Sequence, residues 1–182
     1  METPGNTITI RNVMRVFADS NHDDIVTKAE WDATTAYSKD KINADRFVAI
    51  RPGGNDDSTE THVAWETARG VSEMPSPLFY EGRIHFIRDG GLWSVLEAKT
   101  GKRLVDRERL GIGGQAVASP IAANGYIYVV SETGTFAVLR SGDLLEIVAV
   151  NKLDESVRST PAVAGNTLYI RIADHLGAFG QK

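Results

Sequence analysis

The sequence predicts a mainly β chain: a partial β-propeller of four-stranded antiparallel blades, about three blades' worth, behind an N-terminal helix–loop–helix. Three observations predict it. Short apolar strands recur in the second half with Pro77, Pro120 and Pro161 as markers, 43 and 41 residues apart. Glycine or asparagine turns stand at matching offsets within each period. Near the N-terminus, the twelve residues from Asp19 to Glu30 carry oxygen-bearing side chains at the spacing of an EF-hand calcium loop.

In chain order, Thr7-Ile8-Thr9-Ile10 reads as a short strand. Val13, Met14, Val16 and Phe17 then put apolar groups on one side of a short incoming helix. The loop follows, Asp19-Ser20-Asn21-His22-Asp23-Asp24-Ile25-Val26-Thr27-Lys28-Ala29-Glu30. Calcium is a hard cation that takes about six to eight oxygens. Asp19, Asn21 and Asp23 would each give one side-chain oxygen, and Ile25 its backbone carbonyl. Thr27 would contribute directly or through water, and Glu30 with both carboxylate oxygens. Val26 is the aliphatic anchor between the helices. Trp31, Ala33, Ala36 and Tyr37 are expected to form the apolar side of the outgoing helix.

Asp24 departs from the loop pattern, because glycine usually holds that place. The place needs a positive φ, which glycine adopts freely and aspartate at some cost. The expectation is a working loop of reduced affinity. No second EF-hand stands beside it, and a lone hand is more often structural than signalling. The competing reading is a solvated acidic turn between two helices.

The helical part is expected over residues 1–45 and propeller strands over 46–182. Arg46–Arg51 and Thr61–Glu66 read as the third and fourth strands of a partial blade (46–73), joined by the loop 52–58. Two whole blades follow, 74–115 and 116–156, and a partial one, 157–182. Their openings correspond: Ser76–Phe86, Ser119–Val129 and Thr160–Ile170. Fourteen residues beyond each proline, Gly91, Gly134 and His175 open the strands Leu92–Leu96, Thr135–Leu139 and Leu176–Phe179. Fourth strands are expected over Arg103–Asp106 and Leu144–Val148. These segments alternate apolar and polar, which argues for strands over the helices of a solenoid of similar period.

Composition narrows the function classes. With 182 residues and 42% hydrophobic residues the chain can bury a core. Net charge is −4 and no lysine–arginine block stands out, which argues against a nucleic-acid partner. The absence of cysteine excludes disulfides, thiolate metal sites and cysteine nucleophiles. No apolar run approaches the ~20 residues of a membrane span, and Met1–Asn6 is polar, without a signal-peptide pattern.

Ala98-Lys99-Thr100-Gly101-Lys102, with the three repeats, resembles the tryptophan-docking turn of the PQQ-like β-propeller repeat family, over roughly residues 46–180. The docking tryptophan is missing from its expected place near Leu104 and Val105. The segments Ala49–Gly54 and Thr61–Trp65 look like a bacterial subgroup of these propellers, some with an EF-hand-like insertion just ahead of this strand pair. The resemblance implies an exported protein, periplasmic or extracellular, where calcium is plentiful. It does not bring a quinone: quinoproteins of this fold hold PQQ with vicinal cysteines, and this chain has none.

Other signals weigh less. Gly111–Ala116 has a dinucleotide-like glycine pattern, but the next blade follows it instead of a helix, so it reads as a loop. Gly101-Lys102 lacks the rest of a phosphate loop. His22, His62, His85 and His175 have no ligand spacing, and Trp65 and Trp93 read as core. No catalytic constellation emerges from the spacings.

The expected function is therefore a non-catalytic calcium-binding propeller module, a binding or scaffold domain of a larger exported bacterial protein. Its propeller face would bind protein or carbohydrate. A propeller needs about four to eight blades to close, so a second copy or the rest of a longer propeller would complete this one. The alternatives are part of a quinoprotein-type oxidoreductase or other propeller enzyme with its active site in the missing half, and an envelope-assembly scaffold similar to the propeller lipoprotein that serves outer-membrane protein insertion.

Overall fold

The computed structural model describes residues 18–44, 46–53 and 61–180, and the chain divides into two compact units, 1–45 and 46–182. The strand expected at Thr7–Ile10, the incoming helix expected over Val13–Phe17, and the side chain of Tyr37 lie outside the described residues, as do residues 54–60.

In the first unit a loop leads into helix α1, Lys28–Ala44. Thr27 starts it: its carbonyl accepts the Trp31 amide at 3.0 Å, the first turn of the helix. Lys28 and Asp32 pair one turn apart on its surface. The apolar side expected on this helix is not formed among the described side chains. Trp31 is 39% exposed, and Ala33 and Ala36 are exposed as well. The reason is angular: residues two apart on a helix point to nearly opposite sides, so Trp31 and Ala33 cannot share a stripe.

The second unit is built of four antiparallel sheets. The first pairs β1 (Phe47–Ile50) with β2 (Val63–Thr67). The second runs in order β3 (Leu78–Tyr80), β4 (Arg83–Arg88), β5 (Leu92–Glu97), β6 (Arg103–Arg109). The third has β7 (Ile121–Ala123), β8 (Tyr126–Val130), β9 (Thr135–Arg140) and β10 (Glu146–Lys152). The fourth has β11 (Ala162–Ala164), β12 (Thr167–Ile172) and β13 (His175–Gly180). Each sheet is a meander, every strand pairing with its sequence neighbour.

Two strands differ from expectation. The last strand of the second sheet extends three residues beyond Asp106, to Arg109, and that of the third begins at Glu146 instead of Leu144. Leu144 belongs to the preceding turn and is 80% exposed. The third repeat also lacks the glycine of its two predecessors. At Gly91 and Gly134, with φ of 70° and 76°, a Cβ would lie 2.3 and 2.0 Å from the carbonyl oxygens of Ile112 and Glu155. Only glycine allows that approach. In the third repeat a shorter turn, with Ala173 at φ 43°, lets β13 start directly at His175.

The core lies between the sheets. Phe47 and Trp65 pack with Phe86 and Leu96 between the first and second sheets. Ile87, Trp93, Val95 and Val105 meet Ile127, Val129, Ala137 and Leu139 between the second and third. Val130 and Phe136 meet Ile170 and Ile172 between the third and fourth. Burying one such side chain is worth about 1.5–3 kcal/mol, so this alternation of apolar residues stacks one sheet upon the next.

Polar contacts repeat with the same period. The Ser76 amide donates to the Ser119 hydroxyl at 2.9 Å, and the Ser119 amide to the Thr160 hydroxyl at 3.1 Å. Each of these residues precedes a marker proline, so one hydrogen-bond relay threads three repeats. No tryptophan stands near Leu104 and Val105; Trp65, from the preceding sheet, reaches the Ala98–Lys102 turn. Its indole N–H donates to the Ala98 carbonyl at 3.0 Å. Leu104 and Val105 occupy the equivalent strand one sheet later, where they pack into the next interface.

Candidate metal centre

The residues from Asp19 to Glu30 form a tight loop held by its own oxygens. Asp19 is 5% exposed; its Oδ1 accepts the Asp23 amide at 3.2 Å and its Oδ2 the Asp24 amide at 2.8 Å. Asn21 Oδ1 also accepts from the Asp23 amide, at 3.0 Å, and Asp23 Oδ1 accepts from the Ile25 amide at 2.8 Å. Local bonds of this kind from Asp and Asn to amides two or more residues on favour turns over helix. His22 and Asp24 both adopt the left-handed region, φ 59° and 70°. The positive φ expected at Asp24 is thus present.

Glu30 closes the loop from its far end. Oε1 accepts the Ser20 amide and hydroxyl at 3.1 and 2.9 Å, and Oε2 accepts the Thr27 amide and hydroxyl at 3.0 and 2.8 Å. The Thr27 hydroxyl in turn lies 3.3 Å from the Glu30 amide. Thr27 and Glu30 therefore form a reciprocal capping box at the start of α1. Four donors hold the carboxylate charged: the Thr27 amide and hydroxyl, then the Ser20 hydroxyl and amide, lower its pKa from 4.5 to about 2. Glu30 is ionised at neutral pH and well below it.

These contacts fall into two groups, Asp19, Asn21 and Asp23 on the amides of residues 23–25 and Glu30 on Ser20 and Thr27, and they do not gather the three carboxylates within 4.8 Å of one another. Ile25 sits within the loop, its side chain exposed and its amide bonded to Asp23. Ser20 was missed by sequence reasoning, which credits it with no ligand role. Its signal is the second place of the loop, where an amide and a hydroxyl can both face the closing carboxylate. The Thr27-x-x-Glu30 spacing is the other overlooked signal, since it is that of a capping box. The donor set suits a hard cation: three carboxylates, an amide oxygen, a hydroxyl and a backbone carbonyl, with no nitrogen or sulfur ligand. The Asp19 and Asp23 oxygens, each accepting one N–H, retain further lone pairs for a cation, whereas both Glu30 oxygens already accept two donors and would exchange hydroxyls for the ion.

A second acidic group lies in the propeller unit. Glu155, Asp174 and His175 bring one ligand atom each within 4.8 Å of one another, all exposed. His175 Nδ1 lies 3.2 Å from Asp174 Oδ1, and this contact lowers the Asp174 pKa. His85 is of another kind. It is 1% exposed and stacks on Trp93, ring centroids 5.4 Å apart. Neither ring nitrogen finds a hydrogen-bond partner among the described residues. Burial first, then the Arg83 charge, lower its pKa from 6.5 to about 4; the Tyr80 backbone, short of a hydrogen bond, and Glu81 oppose this only in part.

No known protein family profile matches the chain, and no curated protein matches it. Solved structures do. BamB from Moraxella catarrhalis matches with a TM-score of 0.58 at 17% identity, over 75% of this chain and 40% of its own. The second unit has a β-propeller fold. The chain thus spans 40% of the length of the BamB that it resembles. Two further similar structures are the computationally designed Ika8 protein (TM-score 0.45, 15% identity, 58% of this chain and 32% of that one) and a europium-containing methanol dehydrogenase (0.42, 16%, 58% and 21%). Among the described residues, no helix is long and apolar enough to cross a membrane.

Proposed function

We propose that this chain is a non-catalytic calcium-binding β-propeller module, a binding or scaffold part of a larger exported bacterial protein. The calcium reading rests on one observation above the others. Asp19, Asp23 and Glu30 lie in one short loop, and no lysine or arginine among the described residues pairs with them. Their three carboxylates do not stand together within 4.8 Å in this structure, so an ion would have to draw them inward. Calcium fits because every donor is oxygen. The six ligands are the side chains of Asp19, Asn21, Asp23, Thr27 and Glu30 and the carbonyl of Ile25.

The ion's role is to order the loop. Binding only to the folded loop, it adds stability by mass action. Location outside the cell follows from the resemblance to exported PQQ-like propellers and suits a lone hand of modest affinity. The propeller supplies the surface for a protein or carbohydrate partner, with either a second copy or further blades completing the ring.

Calorimetric calcium titration with melting curves at both end points tests this. One site and a raised melting temperature are expected. Glu30→Gln removes one of three carboxylates and should weaken binding about tenfold or more. An unchanged titration in that variant, or no heat in the native protein, refutes the assignment.

A further inference from the structure

Two junctions between neighbouring sheets follow one plan, and only the first is filled. Tyr80, the last residue of β3, crosses to the β7–β8 turn, where the Gly125 amide donates to its hydroxyl at 3.0 Å. Its ring packs on the cluster that includes Ile127 and Leu139. Arg83 and Asp143 clamp the same junction with an ion pair of 2.6 Å. The next repeat has Ala123 at the end of β7, where Tyr80 ends β3. A methyl group cannot reach the facing turn, Gly165-Asn166.

The space that Tyr80 fills in the first junction is therefore open in the second. It is a cleft of about 470 Å³, lined by Ala123, Tyr128, Val163, Asn166, Leu168 and Phe179 among others. That volume is in the range of small-ligand sites. Phe179 pairs with Leu168 across β12 and β13 as Leu139 pairs with Ile127 across β8 and β9. Leu139 is buried, whereas Phe179 is 43% exposed. The Asn166 amide takes the place of the Gly125 amide, and no side chain of the described residues accepts from it.

We propose that this cleft takes a tyrosine side chain presented by a partner polypeptide. Its ring lies against Leu168 and Phe179, and its hydroxyl accepts from the Asn166 amide, as Tyr80 does one junction earlier. The chemistry selects a phenol. Among the described residues no charged side chain lines the cleft, so an ionic ligand would lose its hydration without a partner there. An aliphatic or plain aromatic group would cover the Asn166 amide and leave it unsatisfied. A phenol supplies a ring for the apolar wall and an acceptor for the amide. The inference stands apart from the calcium site and does not need it.

The test is a ¹⁵N NMR titration of the 182-residue chain with N-acetyl-tyrosinamide and N-acetyl-phenylalaninamide. Saturable shifts of the Asn166 amide and the residues around Phe179 are expected. The phenylalanine analogue should bind roughly fivefold more weakly, the worth of one neutral hydrogen bond. Ala123→Tyr tethers a phenol in the cleft and should raise the melting temperature and abolish the response. Should that variant not fold, Val163→Lys puts a charge on the apolar wall and should also abolish it. No shift at these residues, equal binding of both analogues, or a response surviving in the folded variants would overturn the proposal. A dimer that Ala123→Tyr dissociates would make the occupant a second copy of this chain and overturn it as well.

Discussion

The indole of Trp65 lies on Gly101, a residue of the neighbouring sheet, so closely that a Cβ on Gly101 would sit 2.6 Å from Cδ2 of the ring. The same indole donates to the Ala98 carbonyl at 3.0 Å. Gly101 has φ 72°, so glycine serves here twice: it turns the backbone and leaves room for the ring. One side chain thereby fastens the first sheet to the β5–β6 turn of the second.

Gly101→Ala should accordingly destabilise the propeller unit by about 2–3 kcal/mol, from left-handed strain plus a displaced indole. In a Trp65→Ala background only the strain remains, and the same change should cost about 1 kcal/mol. A double-mutant cycle by urea unfolding reads the difference. Equal costs in both backgrounds would mean that the indole is not held by the turn.

The repeat was legible in the sequence because its markers are local. Pro77, Pro120 and Pro161, with the turns behind them, set the strand order, since alternation and turn residues act within one hairpin. Trp65 was not legible as the residue that reaches the Ala98–Lys102 turn. Its partner Gly101 belongs to the next repeat, and a motif read along one repeat looks for the tryptophan at Leu104 or Val105. The start of β10 at Glu146 escaped because Leu144 and Leu145 look like strand residues, although the preceding turn claims Leu144. In the first unit, the loop pattern carried the positive φ of Asp24. The exposure of Trp31 and Ala33 is not legible from their apolar character alone, because residues two apart on a helix face nearly opposite sides. Ser20 was missed because ligand spacing ignores the amides that position Glu30.

Acid should weaken the fold through His85. Its pKa is about 4 in the folded chain, against 6.5 ordinarily. Between those values the unfolded chain binds a proton that the folded chain refuses, so stability falls as pH drops from 6.5 toward 4 and this loss ends below that. At pH 4.5 the loss from this one group is about 3 kcal/mol at most. His85→Phe keeps a ring on Trp93 and removes the titration. Denaturant unfolding at pH 7 and pH 4.5 should show a smaller loss in the variant. Equal losses would locate the acid sensitivity elsewhere.

Asp24 tunes the candidate metal loop through its backbone. Its φ of 70° is a conformation glycine adopts freely and aspartate adopts at a cost of about 1 kcal/mol. The amide of this residue is also a fixed point of the loop, donating to Asp19 Oδ2 at 2.8 Å, and that bond needs no side chain at position 24. Asp24→Gly should therefore keep the amide bond to Asp19 while relieving the strain, and it also gives up the side chain's own interaction. Under the calcium reading the glycine variant, preferring the left-handed form, should bind calcium about fivefold more tightly, provided the strain resides in the bound state. Calorimetry on both proteins at one ionic strength decides this. Weaker binding by the glycine variant would mean that the Asp24 carboxylate attracts the ion more than its backbone resists the loop.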